Sequence, residues 1–374
     1  AGVWGTTSTR LAINAASTFI GDTTLTEGFL ILGHKDALSA GSLTILGAST
    51  LEASTNLSAS GSGPVPNAVI LASTLTVSLS NDLSLSGILS GSGALTKTGS
   101  GTLTLNASNP NFSGAISLEP TSGANRGVIV ANASNALGTG AVRATFINGA
   151  TGAQVQLNNG ITLANAFTTT GAGAAGGLSG IIRSVTGANV LTGNVTLTGG
   201  GGSSTYRADS GASLAFNGNI GADTNTSRYI ILVGAGDFSF GAGGSIVPTL
   251  TTTGTTGLWS TNTGTTTINS TANTYALVTA IGAGNTLVVA NLSNGGVAGS
   301  LGAAAVTATN LLLDGGTLKY SGSGAQSTDR LFSIGSADNS GGGATLDASG
   351  ATSADTMSFV GAGAIGRASC RERV

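Results

Sequence analysis

The sequence predicts an all-β fold, a β-solenoid built from short strands and turns that contain Gly or Asn. Apolar and polar residues alternate over short segments, these segments recur along the chain, and 62 of the 374 residues are glycine. Alternation with a period of two is typical of a strand with one buried face. Glycine at this frequency penalises helices and favours tight turns. We therefore expect strands throughout.

The alternating segments are short, roughly 4–6 residues, and Gly-, Asn- or Asp-containing turns separate them. Clear examples are residues 75–79, 102–105, 195–197 and 317–320. A single β-sandwich rarely exceeds about 250 residues, whereas a solenoid can add coils without limit. With about 20–25 residues per coil and ~4.8 Å between stacked strands, we expect a rod roughly 70–85 Å long.

The composition excludes several other classes. Charged residues make up 7% of the chain, far below the usual ~25%, so Ser, Thr, Asn and Gly must cover the surface. A net charge of −2, 4% aromatic residues and no basic cluster argue against nucleic-acid binding. A mean hydropathy of +0.32 argues against disorder. No apolar run reaches the ~18 residues of a membrane helix, so we expect no membrane-spanning segment.

Internal repeats organise the chain. Phe19–Leu25 aligns with Phe112–Leu118 at an offset of 93, and Gly28–Ile31 aligns with Gly127–Val130 at an offset of 99. The extra residues of the second copy lie around Glu119–Arg126, where we expect an external loop. The predicted copies lie near residues 19–54, 93–142 and, more loosely, 284–320.

Both ends of the chain are unusual. It begins at Ala1 without Met or a signal segment. The last ten residues, Ile365–Val374, match a translated short-read sequencing adapter and contain the only Cys. We therefore expect residues 1–364 to be a solenoid region truncated at both ends, and residues 365–374 to be an artefact. Without them the chain has no Cys, 10 basic and 14 acidic residues, a net charge of −4. This composition is typical of an exported bacterial protein.

Several segments carry a resemblance to a known family. The best matching stretches are Gly93–Leu105, Asn111–Gly114 and Asn135–Gly140. They resemble the autotransporter-associated β-strand repeat, which occurs in passenger domains of bacterial autotransporters and related surface proteins. Residues 313–320 and 327–332 are similar to segments of such proteins, whereas residues 171–275 match poorly and their register cannot be assigned.

The resemblance implies a right-handed parallel β-helix and export across the outer membrane. It also implies a C-terminal translocator barrel in the full protein, which is not expected within these residues. The implied location is extracellular, at the outer-membrane-associated cell surface. The expected partners are a glycan, a matrix component or a cell-surface ligand, and nucleic acid is not expected.

Residues with catalytic chemistry are sparse. His34 is the only His, and its counterpart at the 99-residue offset is Ala133, so we expect a turn or surface side chain. The Gly171–Gly176 segment has a G-x-G-x-x-G spacing without the strand and helix that dinucleotide binding requires, and a turn is expected there.

Some β-helix enzymes cleave acidic polysaccharides with carboxylate-bound Ca²⁺ and a cationic base. The residues that could do so here are Asp314, Asp329, Arg330, Asp338 and Asp347. They occur singly beside Gly and Asn, which is typical of turn carboxylates. The segment Asp338–Gly343 lacks the repeated acids of a strong calcium site.

The remaining candidates are cations and rings. Lys35, Lys97 and Lys319 lie beside strands and are expected to discourage edge pairing. Six rings could stack on sugars but are expected to serve local packing or to stand singly on the surface: Trp4, Trp259, Tyr206, Tyr229, Tyr275 and Tyr320.

The predicted function is that of a non-catalytic extracellular stalk or passenger segment with an adhesive or structural role. Two alternatives stay open at this point. One is a β-helix enzyme that acts on polysaccharides, and the other is an inert spacer for a functional head elsewhere in the protein. No catalytic, cofactor-binding or metal-ligating residues are predicted.

Overall fold

The computed structural model describes residues 10–119, 127–144, 152–171, 179–198, 203–223, 227–241, 244–249, 256–335, 342–349 and 355–361. The chain divides into two units, Ala1–Asn189 and Val190–Val374, and each is described by itself. Apart from one short 3₁₀ helix, Ala308–Asn310, the regular elements in these ranges are β-strands. Within the same ranges, no helix has the length and apolarity needed to cross a membrane.

The strands of the first unit are short and follow one another closely. In chain order they are β1 Arg10–Ile13, β2 Thr23–Leu25, β3 Gly28–Leu32, β4 Leu43–Ile45, β5 Ser49–Ala53, β6 Val69–Leu71, β7 Leu75–Ser78, β8 Leu83–Leu85, β9 Leu89–Gly91, β10 Leu95–Thr98, β11 Thr102–Leu105, β12 Ile116–Leu118, β13 Val128–Ala131, β14 Val142–Ala144, β15 Gln154–Leu157, β16 Thr162–Leu163, β17 Phe167–Thr169 and β18 Ile182–Ser184. Strand β19, Ala188–Leu191, spans the division between the units.

The second unit continues with strands of the same kind. They are β20 Val195–Leu197, β21 Ser204–Ala208, β22 Ser213–Phe216, β23 Ile220–Ala222, β24 Arg228–Val233, β25 Asp237–Phe240, β26 Ile246–Thr249, β27 Thr256–Ser260, β28 Thr265–Ile268, β29 Thr279–Gly282, β30 Thr286–Val289, β31 Leu311–Asp314, β32 Thr317–Tyr320, β33 Ala325–Thr328, β34 Ser333–Ile334, β35 Thr345–Asp347 and β36 Thr356–Phe359.

Within each unit, strands from successive coils stack as parallel sheets. The first unit has the orders β1-β3-β5-β7-β10-β12-β14-β17, β8-β11-β13-β15-β18 and β2-β4-β6-β9. The second has the orders β20-β23-β26, β21-β24-β27-β29-β31-β34, β22-β25-β28-β30-β32-β35 and β33-β36. Neighbours in each sheet are separated in sequence by the strands of other sheets. The predicted fold class is therefore confirmed: the chain forms a parallel β-solenoid, and its right-handed sense stays a prediction.

The interior of each unit consists of rows of like residues in register. In the first unit, one row runs through Leu75, Leu95, Ile116, Val142 and Phe167, all buried. Each residue of such a row covers the apolar surface of the residue one coil before it. Because every inward position gains from its neighbours on both sides, coils support one another along the stack.

Aromatic residues fill part of the interior of the second unit. The rings of Phe216 and Phe240, one coil apart, stack with centroids 5.2 Å apart and 9° between their planes. Tyr206 meets Phe216 edge-on, also at 5.2 Å. All three rings are buried, and these arrangements add to the energy gained from burying their apolar area.

A side-chain amide ladder links three coils of the first unit. The Asn132 Nδ2 donates to the Asn106 Oδ1 at 2.7 Å, and the Asn158 Nδ2 donates to the Asn132 Oδ1 at 2.8 Å. The Asn106 amide in turn donates to the Ser84 hydroxyl at 2.7 Å. Each Asn directly follows a strand, so the ladder continues the in-register stacking of the backbone into the turns.

The first unit contains two similar strand–turn–strand segments. In one, the Asn67 Nδ2 donates to the carbonyls of Ser39 and Gly41, and in the other the Asn165 Nδ2 donates to those of Gly138 and Gly140. These amides bind carbonyls that the turns leave without a strand partner. A buried Asn one coil later thus holds each turn.

The turns approach the preceding coil so closely that a side chain does not fit. A Cβ atom placed on Gly41 would lie 1.9 Å from the Gly21 carbonyl oxygen, and one on Gly140 would lie 2.1 Å from that of Gly114. Real Cβ atoms do not approach backbone to such distances. The glycines therefore set how tightly the coils can stack at each of these two corners.

We predict that Gly41→Ala lowers the free energy of unfolding by about 1–3 kcal/mol, because the corner must open to admit the methyl group. Urea unfolding followed by circular dichroism measures this change. The matched control is Gly343→Ala, because no atom lies within 4 Å of the added Cβ at that position. Equal stability of the two variants would contradict the proposed limit on corner packing.

Candidate functional site

The second unit carries an aromatic surface on the outside of one sheet. Along β27, Leu258 and Ser260 point inward and are fully buried, whereas Trp259 between them points outward and is 41% exposed. On the preceding strand of the sheet, Ile231 pairs with Trp259, and Tyr229 pairs with Gly257. We name the outward residues Tyr229, Ile231, Gly257, Trp259 and Leu277 the aromatic face.

The two rings of the aromatic face touch. The centroids of Tyr229 and Trp259 are 5.6 Å apart, and their planes are inclined by 57°. Gly257 makes this possible, because a Cβ there would lie 2.7 Å from the Tyr229 Cδ1 and 3.0 Å from the Leu277 Cβ. The Tyr229 ring thus lies close over the backbone of β27 and supports one side of the indole.

An ion pair lies near this surface on the same sheet. Arg207 follows the buried Tyr206 on β21 and pairs with Val233, two residues beyond Ile231 on β24. The Arg207 Nε donates to the Asp209 Oδ1 at 2.7 Å, and both side chains are about one-fifth exposed. The pair offers hydrogen-bond donors and acceptors to solvent without a net charge.

The predicted acidic residues do not converge. The Asp329 Oδ1 accepts a hydrogen bond from the Gly295 N–H at 2.8 Å, whereas Asp347 accepts bonds from Lys319 and Ser349. The hydrogen bonds from Ser349, and to a smaller extent the bond from Lys319, lower the pKa of Asp347 to about 2.

The other two predicted carboxylates lie elsewhere. Asp314 ends β31, and Asp338 lies outside the described residues. Within the described ranges, no three His, Cys, Asp or Glu side chains form a metal-binding group.

Arg330 is buried, and its guanidinium binds backbone carbonyls of a long connection between β30 and β31. Its Nη2 donates to the Gly302 carbonyl at 2.7 Å, and its Nε donates to the Ser293 carbonyl at 2.9 Å. Burial lowers the pKa of Arg330, while Tyr275 and Asp329 act in the opposite direction. Arg330 thus fixes a loop, and a buried guanidinium in this role is not available as a catalytic base.

His34 lies in a turn of the first unit and is about one-third exposed. Its Nδ1 accepts the Asp36 N–H at 3.1 Å, and the Ala37 N–H donates to its carbonyl at 3.1 Å. Asp36 also borders an open cleft of about 670 Å³ that Ser17 and Asn67 line. Among the residues that line the cleft, the Asn67 amide nitrogen already binds two turn carbonyls.

The predicted role of Lys97 as an exposed residue that discourages edge pairing is wrong. Lys97 is fully buried and stands in an inward row between Val77 and Leu118. Its Nζ donates to the carbonyls of Thr98 at 2.6 Å and Gly99 at 3.2 Å. Burial lowers the pKa of Lys97 to about 8, although the Asp82 carboxylate acts in the opposite direction.

The other two lysines pair with carboxylates. The Lys35 Nζ lies 2.6 Å from the Asp36 Oδ2, and the Lys319 Nζ lies 3.0 Å from the Asp347 Oδ2. Both are partly exposed. Lys319 lies on β32, the second-to-last strand of its sheet, where it bridges to Asp347 on the last strand, β35.

The sequence predicts rings that serve local packing or stand singly on the surface, and one pair packs together while one of its members stays exposed. Tyr206, Tyr275 and Tyr320 are buried and serve packing, as expected. Burial raises the pKa of Tyr275 to about 12, and its hydroxyl shares a 2.7 Å hydrogen bond with Thr279. Tyr229 and Trp259, however, meet on the surface. They are 30 residues apart in a region whose register the sequence left unassigned, so their contact could not be anticipated.

Some predicted features fall on residues that the structure does not describe. Most of the loop at 119–126, the Gly-rich segment after Gly171, the possible calcium segment at 338–341, Trp4 and the terminal residues 365–374 lie outside the described ranges. Their predicted roles stay predictions.

The stacked strands define a class: a parallel β-solenoid, here with an exposed aromatic residue on its outer surface. The chain is similar to a particular protein, the adhesin BmaC autotransporter of Brucella suis biovar 1 (strain 1330). The two are 32% identical over 210 residues, which is 49% of this chain and 6% of the relative. The match confirms the resemblance to autotransporter sequences. No protein-family model and no solved structure matches the chain.

We predict that Lys97→Met stabilises the protein at pH 7 by about 1–3 kcal/mol, because the charged amine there is desolvated in the folded state. The Thr98 carbonyl retains its bond from the Leu79 N–H in this variant. Urea unfolding over a range of pH measures the gain.

The gain should depend on pH with a definite sign. Below about pH 8, Lys97 is charged in both folded and unfolded chains and its full burial cost is present. Between pH 8 and 10.5 the folded chain releases the proton that the unfolded chain keeps, so the parent protein recovers stability and the difference shrinks. The control is Lys35→Met at the partly exposed pair. A gain that grows with pH would contradict the assignment.

Proposed function

We propose that this chain is a segment of the passenger of a bacterial autotransporter-like surface protein and that its role is adhesion. The observation that carries the proposal is the 32% identity over 210 residues to a protein named an adhesin and an autotransporter. On this basis the chain is extracellular and associated with the outer membrane of the cell that exports it. Its partner is a glycan, a matrix component or a cell-surface ligand.

The solenoid suits this role physically. Its backbone hydrogen bonds run between coils and its apolar rows face inward, so the outward positions of each strand contribute little to folding. Such positions can change without loss of the scaffold, and neighbouring coils place them side by side. An adhesive surface can therefore be assembled from residues on several coils.

We further propose that the chain is not catalytic. The described carboxylates of Asp329 and Asp347 are held by neighbouring backbone or side-chain groups. Arg330 is committed to loop carbonyls. A polysaccharide-cleaving site needs acids and a base directed at one bond, and these residues have separate structural tasks. The named activity of the relative also favours binding over cleavage.

We predict that latex beads coated with the folded chain adhere to cultured mammalian cells several-fold more than beads coated with albumin. Many copies on one bead should reveal even a weak contact, because multivalent attachment raises the effective affinity. Counting attached beads by microscopy measures this. Beads that carry the same chain after irreversible unfolding are the matched control.

Adhesion equal to the albumin beads would contradict an adhesive role and favour the spacer alternative. Release of reducing ends from polygalacturonate by the folded chain, above the level with the unfolded chain, would contradict the non-catalytic assignment. The two assays use the same protein preparation, so their outcomes can be compared directly.

A further inference from the structure

We propose that the aromatic face binds neutral oligosaccharide, with one pyranose ring stacked on Trp259 and sugar hydroxyls bound by the Arg207–Asp209 pair. This assignment deepens the adhesive function proposed above and rests on it. It names a site and a ligand class, and each step follows from the side chains of one sheet in the second unit.

The first step is the exposure of a fixed indole. Trp259 is 41% exposed, although the residues on either side of it along β27 are fully buried. The Tyr229 ring contacts it at a centroid distance of 5.6 Å. A ring supported in this way has little side-chain freedom left to lose when a ligand binds.

The second step is the shape of the surroundings. Gly257 has no side chain, and Ala280, which pairs with Trp259 on the next strand, ends at Cβ. Ile231, which pairs with Trp259 on the other side, is half-buried. The ring therefore stands above shorter neighbours on a sheet surface, and a flat ligand can approach it without a pocket.

The third step is the size of the exposed area. A stable protein–protein interface buries about 800 Å² on each partner. On the aromatic face only Trp259 is well exposed, while Tyr229, Ile231 and Leu277 are half-buried and Gly257 is buried. One exposed indole matches the apolar C–H face of a pyranose much better than it matches a protein surface of that size.

The fourth step is charge. The Arg207 guanidinium and the Asp209 carboxylate neutralise each other at 2.7 Å, so these two groups by themselves select neither an anionic nor a cationic ligand. They do offer N–H donors and carboxylate lone pairs, the two partners that sugar hydroxyls require. A neutral sugar fits this combination better than a sulfated or carboxylated one.

The chain offers a direct spectroscopic test, because it contains only two tryptophans. In the Trp4→Phe variant of the 374-residue chain, Trp259 is the sole indole and its fluorescence reports on the proposed site. The probes are the neutral oligosaccharides cellotetraose and chitotetraose and the acidic heparin tetrasaccharide. We expect at least one neutral tetrasaccharide to shift the Trp259 emission in a saturable way, and heparin tetrasaccharide to have a smaller effect.

Binding of the same sugar, measured by calorimetry on otherwise unmodified chains, should weaken at least about tenfold in Trp259→Thr. Threonine suits an outward strand position, so the variant should fold, and its urea midpoint checks this. The matched control is Leu312→Thr. Leu312 pairs with Ala280 and so continues the outward row of Trp259 two strands away. This control should bind the sugar as the parent does.

Two results would overturn the site. One is the absence of any neutral-sugar effect on Trp259 emission, and the other is unchanged sugar affinity in folded Trp259→Thr. Binding of gelatin but no sugar, lost in Trp259→Thr, would assign the surface to a protein partner and also overturn the proposal. If beads coated with the parent chain fail to adhere although the chain binds sugar, the adhesive function is contradicted and the sugar site is retained. Full adhesion by Trp259→Thr beads, with sugar binding lost, would separate the site from adhesion and overturn its proposed role.

Discussion

Parallel pairing between successive coils is the constraint on which the rest of the structure depends. In the part of the chain that the structure describes, paired strands belong to neighbouring coils, so each coil must repeat the path of its neighbours closely. The register of Leu75, Leu95, Ile116 and Val142 follows from this requirement, because residues that pair along the backbone also stack along the interior. The same requirement brings corner backbones into contact, as at Gly41 above Gly21.

The corners explain why polar side chains such as Asn67 and Asn165 are buried in the interior. Each change of direction leaves carbonyl groups without a strand partner, and these groups need donors that fit inside the stack. Asn67 and Asn165 supply amide donors at similar turns, Lys97 supplies an ammonium group to the Gly99 carbonyl, and Arg330 supplies a guanidinium to a longer connection. Cationic side chains of this chain can therefore be structural even where the sequence places them beside strands.

The fold class could be read from the sequence because alternation and glycine punctuation are local signals. The similarity of the turns that follow β3 and β13 could also be predicted, because their residues align at a constant offset. The burial of Lys97 could not be predicted. Period-two alternation marks the position as inward, but the charge of lysine argues against an inward position. The contact between Trp259 and Tyr229 could not be predicted, because the coil length changes along the chain. Gly257 pairs with a residue 28 positions earlier, whereas Leu95 pairs with one 20 positions earlier.

Variable coil length has a consequence for function. Inward residues must match their neighbours on both sides, so extra residues can enter only at turns, as in the connection that Arg330 holds. Outward residues do not have to match the side chains of neighbouring coils, but coil-to-coil pairing still places them one strand spacing apart. A binding surface can then arise from single substitutions on separate coils, as Tyr229 opposite Gly257 illustrates. A catalytic site has stricter requirements, because several charged groups must point at one bond. In this chain, charged groups such as Lys97 and Arg330 already bind backbone carbonyls of turns and connections. This difference in requirements is the physical basis on which we propose recognition, and not catalysis, at the outer surface.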